Sequence, residues 1–471
     1  MRERPVIILS VVEDIIIYLK IVHCSYHSKA IYVSISTIRS TNPFTDTKMK
    51  GSINTTPSCA DPTDPDSISV AYALSQIEAN IKPLLQSELL PVRDCLSRIC
   101  SEAIHSSINV PGHANSAMDG FAISFMDLQE GQISTFEEIG CAFAGRGLDV
   151  VCESGQCVRI MTGAVIPEGC DTVIMQEQAE QYKDGLIAVD SNHRLGENVR
   201  YAGEDIKQGE TILKQGDKIG PADLGVLASL GISELNVFRK PVIAFMSTGD
   251  ELVSVGKSLG KGQIYDSNRY TLFGMLSQLE VDMIDLGVIQ DDLDSIRAAL
   301  LDAAKKADLV ITTGGVSVGQ ADFIKTALQN IGQPEFWKIA IKPGRPLTFG
   351  KIEDSLFIGL PGNPVAVMVT FSHFVIPAIR KLSGAPSAQV PVVRAASTEK
   401  MRKKAGRLEI QRGIASLTSD GQWRVCKTGK QGSGILTSMT RGNCFILLRE
   451  DNSGVEIGDQ VEIQLFDWSQ I

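Results

Sequence analysis

The sequence predicts an α/β multidomain protein: a three-layer α/β domain with a mainly parallel sheet, an inserted β module before it, and a C-terminal β-barrel-like domain. Three observations carry this prediction. Residues 241–387 alternate short β-branched runs with helical periods, as parallel strands covered by helices on both faces do. Residues 113–207 and 388–471 instead hold short β-rich runs separated by glycine turns. The 471 residues are 43% hydrophobic and 21% charged, a globular composition. At roughly 150 residues per domain, that length suggests about two to four domains.

The net charge of −10 argues against a bare nucleic-acid binder, which needs a basic face. An anionic small ligand would need a local cationic cluster. Ten cysteines are scattered without a C-x-x-C, and His23 and His27 flank Cys24 without the glutamate of a zinc helix. The spacing therefore indicates no zinc site. Scattered thiols in an acidic chain fit the reducing cytoplasm.

Residues 1–65 differ from the rest. Residues 6–22 are strongly apolar but include Glu13, Asp14 and Lys20. An acid at the centre of a membrane helix costs about 2.5–3.5 kcal/mol, against roughly −0.3 to −0.6 for each Ile, Leu or Val. Charges and apolar residues about cancel, so no membrane span is expected. No small-residue cleavage site follows, which argues against a signal peptide. Residues 50–66 are a Ser/Thr/Pro/Asp tract. The favoured reading is that translation starts at Met49; the alternative is that residues 1–65 are a real but poorly ordered extension.

Residues 66–112 and 208–240 read together as a helical linker domain. Ile68, Tyr72, Leu74, Ile77 and Ile81 give a helical period that Pro83 ends. Residues 91–99 read as a second short helix and 104–110 as a strand. Asp119-Gly120 is either a favoured hairpin pair or a turn that presents Asp119 beside a cleft. In the β module, runs at 157–161 and 172–175 read as strands. Thr162-Gly163 ends the first and can offer a hydroxyl and an N–H to a ligand. Asp205 lies on a charged turn that closes the module.

In the α/β domain, strands are expected at 242–246, 281–288, 309–312 and 355–359. Helices are expected at 266–279, 293–305 and 365–382, with another starting near Asp322. Ligands of open α/β sheets bind outside the carboxyl ends of the strands, and the unusual residues sit there. Gly314-Gly315 turns the chain between strand and helix, an arrangement that suits an anion. It is also an ordinary tight turn, and it matches neither a P-loop nor G-x-G-x-x-G. Glu251, Asp291 and Asp322 all follow strands. Three carboxylates on one rim suit a hard cation such as Mg²⁺, while Asp291 and Asp322 equally fit helix N-caps or first-turn acids. Asn363-Pro364 is a good helix start with or without a ligand. Lys338, Lys342 and Arg345, on a loop stiffened by Pro343 and Pro346, form the cationic cluster an anionic substrate needs.

Eight motifs occur in order: Ser-Ala-Met-Asp-Gly (116–120), Arg-Ile-Met-Thr-Gly-Ala (159–164), Gly-Glu-Asp-Ile (203–206), Ser-Thr-Gly-Asp-Glu-Leu (247–252), Gly-Gln-Ile-Tyr-Asp-Ser-Asn (262–268), Thr-Gly-Gly-Val-Ser-Val-Gly (313–319), Lys-Pro-Gly-Arg-Pro (342–346) and Leu-Pro-Gly-Asn-Pro (360–364). Together, from about residue 66 to the end, they closely resemble the molybdopterin molybdotransferase family, to which the gephyrin E domain also belongs. The resemblance implies the last step of molybdenum cofactor assembly. Adenylylated molybdopterin and molybdate enter, the adenylate leaves as AMP, and molybdenum passes to the dithiolene sulfurs with Mg²⁺ present. It implies an elongated homodimer whose cleft lies between the α/β domain of one subunit and the β module of the other. Asp291, Asp322 and Glu251 match the acidic metal and substrate residues. Lys338, Lys342 and Ser317 match contacts to anionic groups. Asp119, Thr162 and Asp205 would come from the facing subunit. Gly314, Gly315, Pro361 and Pro364 match the cleft floor. Arg345 stands where Lys is common, and Gln320 where Glu is common. A molybdopterin adenylyltransferase is the expected partner.

In the tail, strands are expected at 392–395, 424–427, 444–448 and 460–464. Ser433, in the loop 428–433, either approaches the ligand or merely closes a hairpin. Two competing functions remain at this level. An adenylyltransferase would resemble 309–322 but need neither the β module nor the tail. A non-catalytic scaffold could lose Asp119, Asp291 or Asp322, and all three are present.

Overall fold

The computed structural model describes residues 64–182, 185–315, 323–387 and 390–466, and the backbone of three strands nearer the N-terminus. Those strands, Val6–Val12, Ile15–Ile21 and Val33–Ser36, form an antiparallel sheet with Val6 opposite Ile21 and Val12 opposite Ile15. The sequence reading expects this segment either to lie before the true start at Met49 or to be a poorly ordered extension. Ile15, Ile16 and Ile17 are β-branched and favour extended backbone. Residues 1–58 form one compact unit and residues 59–471 a second.

In the second unit, the central sheet runs in the order Asp282–Ile289, Val242–Thr248, Leu309–Thr313, Ser355–Leu360, Pro346–Ile352, Glu335–Lys338. The first four strands are parallel, and the last two add antiparallel. Successive side chains point to opposite faces. Ile243, Phe245, Ile311 and Ile358 pack against the helices Asn268–Leu276 and Pro364–Leu382. Ala244, Met246, Val310 and Phe357 pack against Leu293–Ala304 and Phe323–Ile331. Three layers result, and double burial explains why these strands read as continuous apolar runs. The antiparallel pair differs from the expected loop: it places Lys338 opposite Pro346, at one end of a hairpin.

Pro364–Leu382 is long and apolar enough to cross a membrane, yet it is mostly buried against this sheet. It passes through a π turn, Phe371–Val375, just before Pro377. Proline lacks the N–H and its ring crowds the preceding turn, which the wider π turn accommodates.

Ser69 caps the helix Val70–Asn80 by accepting the Tyr72 N–H at 3.1 Å. Val70, Ala73 and Ile77 bury in the same core as Pro364–Leu382. This helix thus belongs to the α/β domain rather than the linker. In the linker domain, Ser87–Pro91 pairs with Glu234–Phe238 and Ile104–His105 with Thr211–Leu213. Chain leaving for the β module therefore pairs with chain returning, which is the topology of an insertion. The helix expected at 91–99 is a short 3-10 turn, Val92–Cys95, because Pro91 is the last residue of a strand.

The β module is one six-stranded sheet, in the order Thr172–Met175, Gly120–Ile123, Gln156–Ile160, Ser134–Ala142, Leu186–Val189, Ala179–Gln181. At the C-terminus, Leu408–Leu417, Trp423–Lys427, Val393–Ser397, Gln460–Leu465 and Cys444–Leu448 pair in turn, and the last pairs back to the first. Closure makes a five-stranded barrel. A short strand from the α/β domain, Ile341–Lys342, adds to it, with Ile341 opposite Leu408 and Lys342 opposite Glu409.

Candidate functional site

The carboxyl ends of the Val242, Leu309 and Ser355 strands meet the barrel at a cleft of about 990 Å³. Its floor is made by two glycine turns. Gly314 has φ +85° and Gly315 φ +64°. A Cβ on Gly314 would stand 2.7 Å from the Thr248 carbonyl oxygen, and one on Gly362 would stand 3.7 Å from the Gly314 Cα. Glycine at 314 is what lets this turn lie against the Thr248 carbonyl, while the Gly362 turn packs on it at ordinary contact distance and leaves bare backbone facing the cleft. Pro361 and Pro364 line the same floor.

A buried polar network holds the strand ends below. Ser247 Oγ donates to Asp266 Oδ1 at 3.1 Å and lies 3.0 Å from Thr313 Oγ1. Asn268 Nδ2 donates to the Gly362 carbonyl at 2.8 Å. Asp266 and Asn268 thus explain why the 262–268 motif matters although neither residue lines the cleft.

Asp291 and Glu251 both line it. Asp291 accepts the Thr248 hydroxyl at 2.9 Å. The helix N-cap is its neighbour Asp292, which accepts the Ser295 N–H at 2.9 Å. Asp291 is therefore not held by the capping role the sequence left open. Asp292 titrates below the ordinary range, first because of that backbone bond. Glu251 folds its carboxylate over Gly249, where a Cβ would stand 2.7 Å from Oε2. Asp322, Ser317 and Gln320 lie outside the described residues. Among the described residues, no three Asp, Glu, His or Cys side chains converge as a metal site.

The expected cationic cluster is split. Lys342 and Arg345 line the cleft, but Lys338 does not. Lys338 meets Asp64 at 3.6 Å and Asp66 at 3.5 Å. Arg345 also pairs with Asp64. Lys342 is half-exposed and meets Glu409 at 3.1 Å. Each cation has an acidic neighbour from a distant part of the chain, which no local reading of residues 338–346 reveals.

Ser433 lines the cleft and donates nothing to the helix start; its carbonyl accepts the Val365 N–H at 3.0 Å. Asn363 occupies the N-cap position but makes no side-chain cap bond. Its carbonyl accepts the Val367 N–H at 3.0 Å, and it lines the cleft.

Arg412 is a residue the sequence reading missed. It is 1% exposed, and it donates to Ser438 Oγ at 3.0 Å and to the Gly432 carbonyl at 3.1 Å. Gln431 Oε1 accepts the Arg412 N–H at 2.8 Å. These bonds fasten the Thr428–Ser433 loop over the cleft. Burial pushes the Arg412 pKa down to about 10, so it stays charged at neutral pH. The only sequence signal is a charged residue inside the run Leu408–Leu417.

Asp119, Thr162 and Asp205 do not line the cleft of their own chain. Asp119 and Thr162 pair directly, and both are exposed on the β module. Asp205 is exposed on the turn where its N–H donates to Val110 O at 3.0 Å.

Three family models match the chain: MoeA N-terminal region (domain I and II) over residues 68–231, probable molybdopterin binding domain over 244–381, and MoeA C-terminal region (domain IV) over 394–466. The molybdopterin molybdenumtransferase of Haemophilus influenzae is 46% identical over 383 residues, covering 81% of this chain and 94% of that protein. Gephyrin of Dictyostelium discoideum is 32% identical over 83% of this chain and 62% of its own length. The crystal structure of the molybdopterin biosynthesis moeA protein from Pyrococcus horikoshii OT3 superimposes with a TM-score of 0.74 at 29% identity, covering 85% of this chain and 100% of that one.

Proposed function

Since the chain belongs to the MoeA family of molybdopterin molybdenumtransferases, we propose that it inserts molybdenum from molybdate into adenylylated molybdopterin, with Mg²⁺-dependent release of AMP. This is the last step of molybdenum cofactor biosynthesis. The observation that carries the reading is one cleft in which Asp291 and Glu251 adjoin Lys342, Arg345 and Arg412. Molybdate and the substrate phosphates are anions that need cations, while a hard metal ion needs carboxylate oxygens.

Mg²⁺ usually takes one or two carboxylates plus substrate phosphate oxygens, so the pair Asp291 and Glu251 fits it without a third ligand. These two residues would hold it, and Asp322 is the candidate to join them. The ion would neutralise phosphate charge as AMP leaves. Lys342 and Arg345 orient the anionic groups, and the Gly314-Gly315 turn lets the substrate approach bare backbone. Arg412 keeps the loop bearing Ser433 in place.

Asp119, Thr162 and Asp205 complete the site from a second copy of the chain, in a homodimer. Their position outside the cleft of their own subunit supports this reading. A molybdopterin adenylyltransferase supplies the substrate. The eight described cysteines are all free thiols, in keeping with a cytoplasmic protein.

The test supplies the full chain with adenylylated molybdopterin, Mg²⁺ and low molybdate, then measures AMP and the reconstitution of a cofactor-free molybdoenzyme. AMP release that requires molybdate and fails in Asp291→Ala is the expected result. Substrate binding without AMP release would make the protein a scaffold. Formation of the adenylylated species from ATP would make it the adenylyltransferase.

A further inference from the structure

Lys400, Arg402, Lys403, Lys404 and Arg407 crowd into eight residues of a chain whose net charge is −10. The barrel gathers them around a second concavity of about 620 Å³, where Met401–Arg402 pairs with Gly454–Val455. Lys342 also lines it. Lys342, Arg407 and Glu409 line both this concavity and the cleft, so the two are continuous.

Six cationic side chains face two carboxylates here, Glu409 and Glu456. Both acids are already engaged: Glu409 with Lys342 and Glu456 with Lys400. Lys403 is buried in the wall and donates to the carbonyls of Asn452 at 2.9 Å, Lys404 at 3.3 Å and Glu450 at 3.4 Å. Its charge therefore cannot swing away. Arg402 and Lys404 are exposed and make no ion pair among the described residues. Like charges held this close repel one another, and a bound anion relieves the repulsion. The shape is a partly open concavity rather than a long stripe or flat face, so it suits a small anion better than a nucleic acid or an acidic protein.

We infer that this basin is a second binding site, for a small tetrahedral dianion of the molybdate type, that opens onto the reaction cleft through Lys342 and Arg407. The choice of molybdate rests on the proposed function; the charge of the ligand does not. A dianion held there stands next to the cleft before the adenylylated substrate is in place.

The test is equilibrium dialysis of the full chain against molybdate alone at low ionic strength, with sulfate and AMP as competitors, followed by molybdate-dependent AMP release. The variant is Arg402→Glu with Lys404→Glu; Arg402→Gln with Lys404→Gln serves if charge reversal lowers the melting temperature. Molybdate binding is expected to weaken about tenfold or more, the size of effect a charged basin exerts on a small ion. The KM for molybdate should rise in parallel while kcat at saturating molybdate holds, and added salt should shrink the difference. Sulfate should displace the basin molybdate. Unchanged molybdate binding in a folded variant, or displacement by AMP but not by sulfate, would overturn the site. If wild-type protein binds molybdate in the basin yet never releases AMP, the proposed activity fails and the site stands.

Discussion

Thr162 donates both its backbone N–H and its hydroxyl to Asp119 Oδ1, each at 2.7 Å. The backbone bond, then the hydroxyl bond, favour the ionised carboxyl and hold Asp119 below the usual aspartate range. Because the folded pKa is depressed, the unfolded chain takes up the proton first as pH falls. The stabilisation is thus complete above the unfolded pKa, about 3.9, and is lost as pH falls through the folded value. Denaturation midpoints measured from about pH 3 to 7 should show the wild type ahead of Asp119→Asn by a constant margin at neutral pH, shrinking below about pH 4. Thr162→Val keeps the N–H bond, so it should return the carboxyl only part of the way.

Asp119 and Asp291 stand in different parts of one chain, and only Asp291 lines the cleft. If two subunits share each site, Asp119→Ala and Asp291→Ala homodimers are both inactive. Mixed dimers should regain one intact site. Co-refolding the two variants should restore AMP release; no recovery in verified heterodimers would refute the shared site.

Thr248 fixes one oxygen of Asp291. Thr248→Val should lower activity about 10–100-fold, the usual cost of losing a group that orients a ligand, and Thr248→Ser should restore it. Asp291→Asn should in addition raise the Mg²⁺ concentration for half-maximal AMP release. A Thr248→Val enzyme with normal Mg²⁺ dependence and rate would remove Asp291 from the metal site.

Gly314→Ala combines a positive φ with a Cβ 2.7 Å from a backbone oxygen. The strained φ alone costs about 1–3 kcal/mol. Thermal melting should drop accordingly. Substrate affinity should fall further than stability, because the methyl group sits at the cleft floor.

Arg412→Met removes the donors to the Gly432 carbonyl and Ser438. Leaving a buried acceptor unmet costs about 1–3 kcal/mol. Arg412→Lys should not rescue it, since an ammonium cannot span both partners as a planar guanidinium does. KM for the adenylylated substrate should rise with the loosened Thr428–Ser433 loop, and an unchanged KM would show that the loop does not touch substrate.

By itself the sequence determined what short-range physics can encode. Short continuous apolar runs and helical periods marked Val242–Thr248, Asp282–Ile289, Leu309–Thr313 and Pro364–Leu382, and paired glycines marked the turn at Gly314. Eight motifs in order were enough for the family. Strands lacking a strong local period are not legible in the sequence: neither Glu335–Lys338, whose last residue opens the expected loop, nor Leu408–Leu417 stands out. Only the tertiary structure decided which charges face the cleft. Asp64 takes Arg345 from 281 residues away, Glu409 takes Lys342 from 67, and Arg412 reaches the cleft only because the barrel closes on itself. Charge pairing depends on distance in space, and a sequence pattern fixes distance only within an element or a turn.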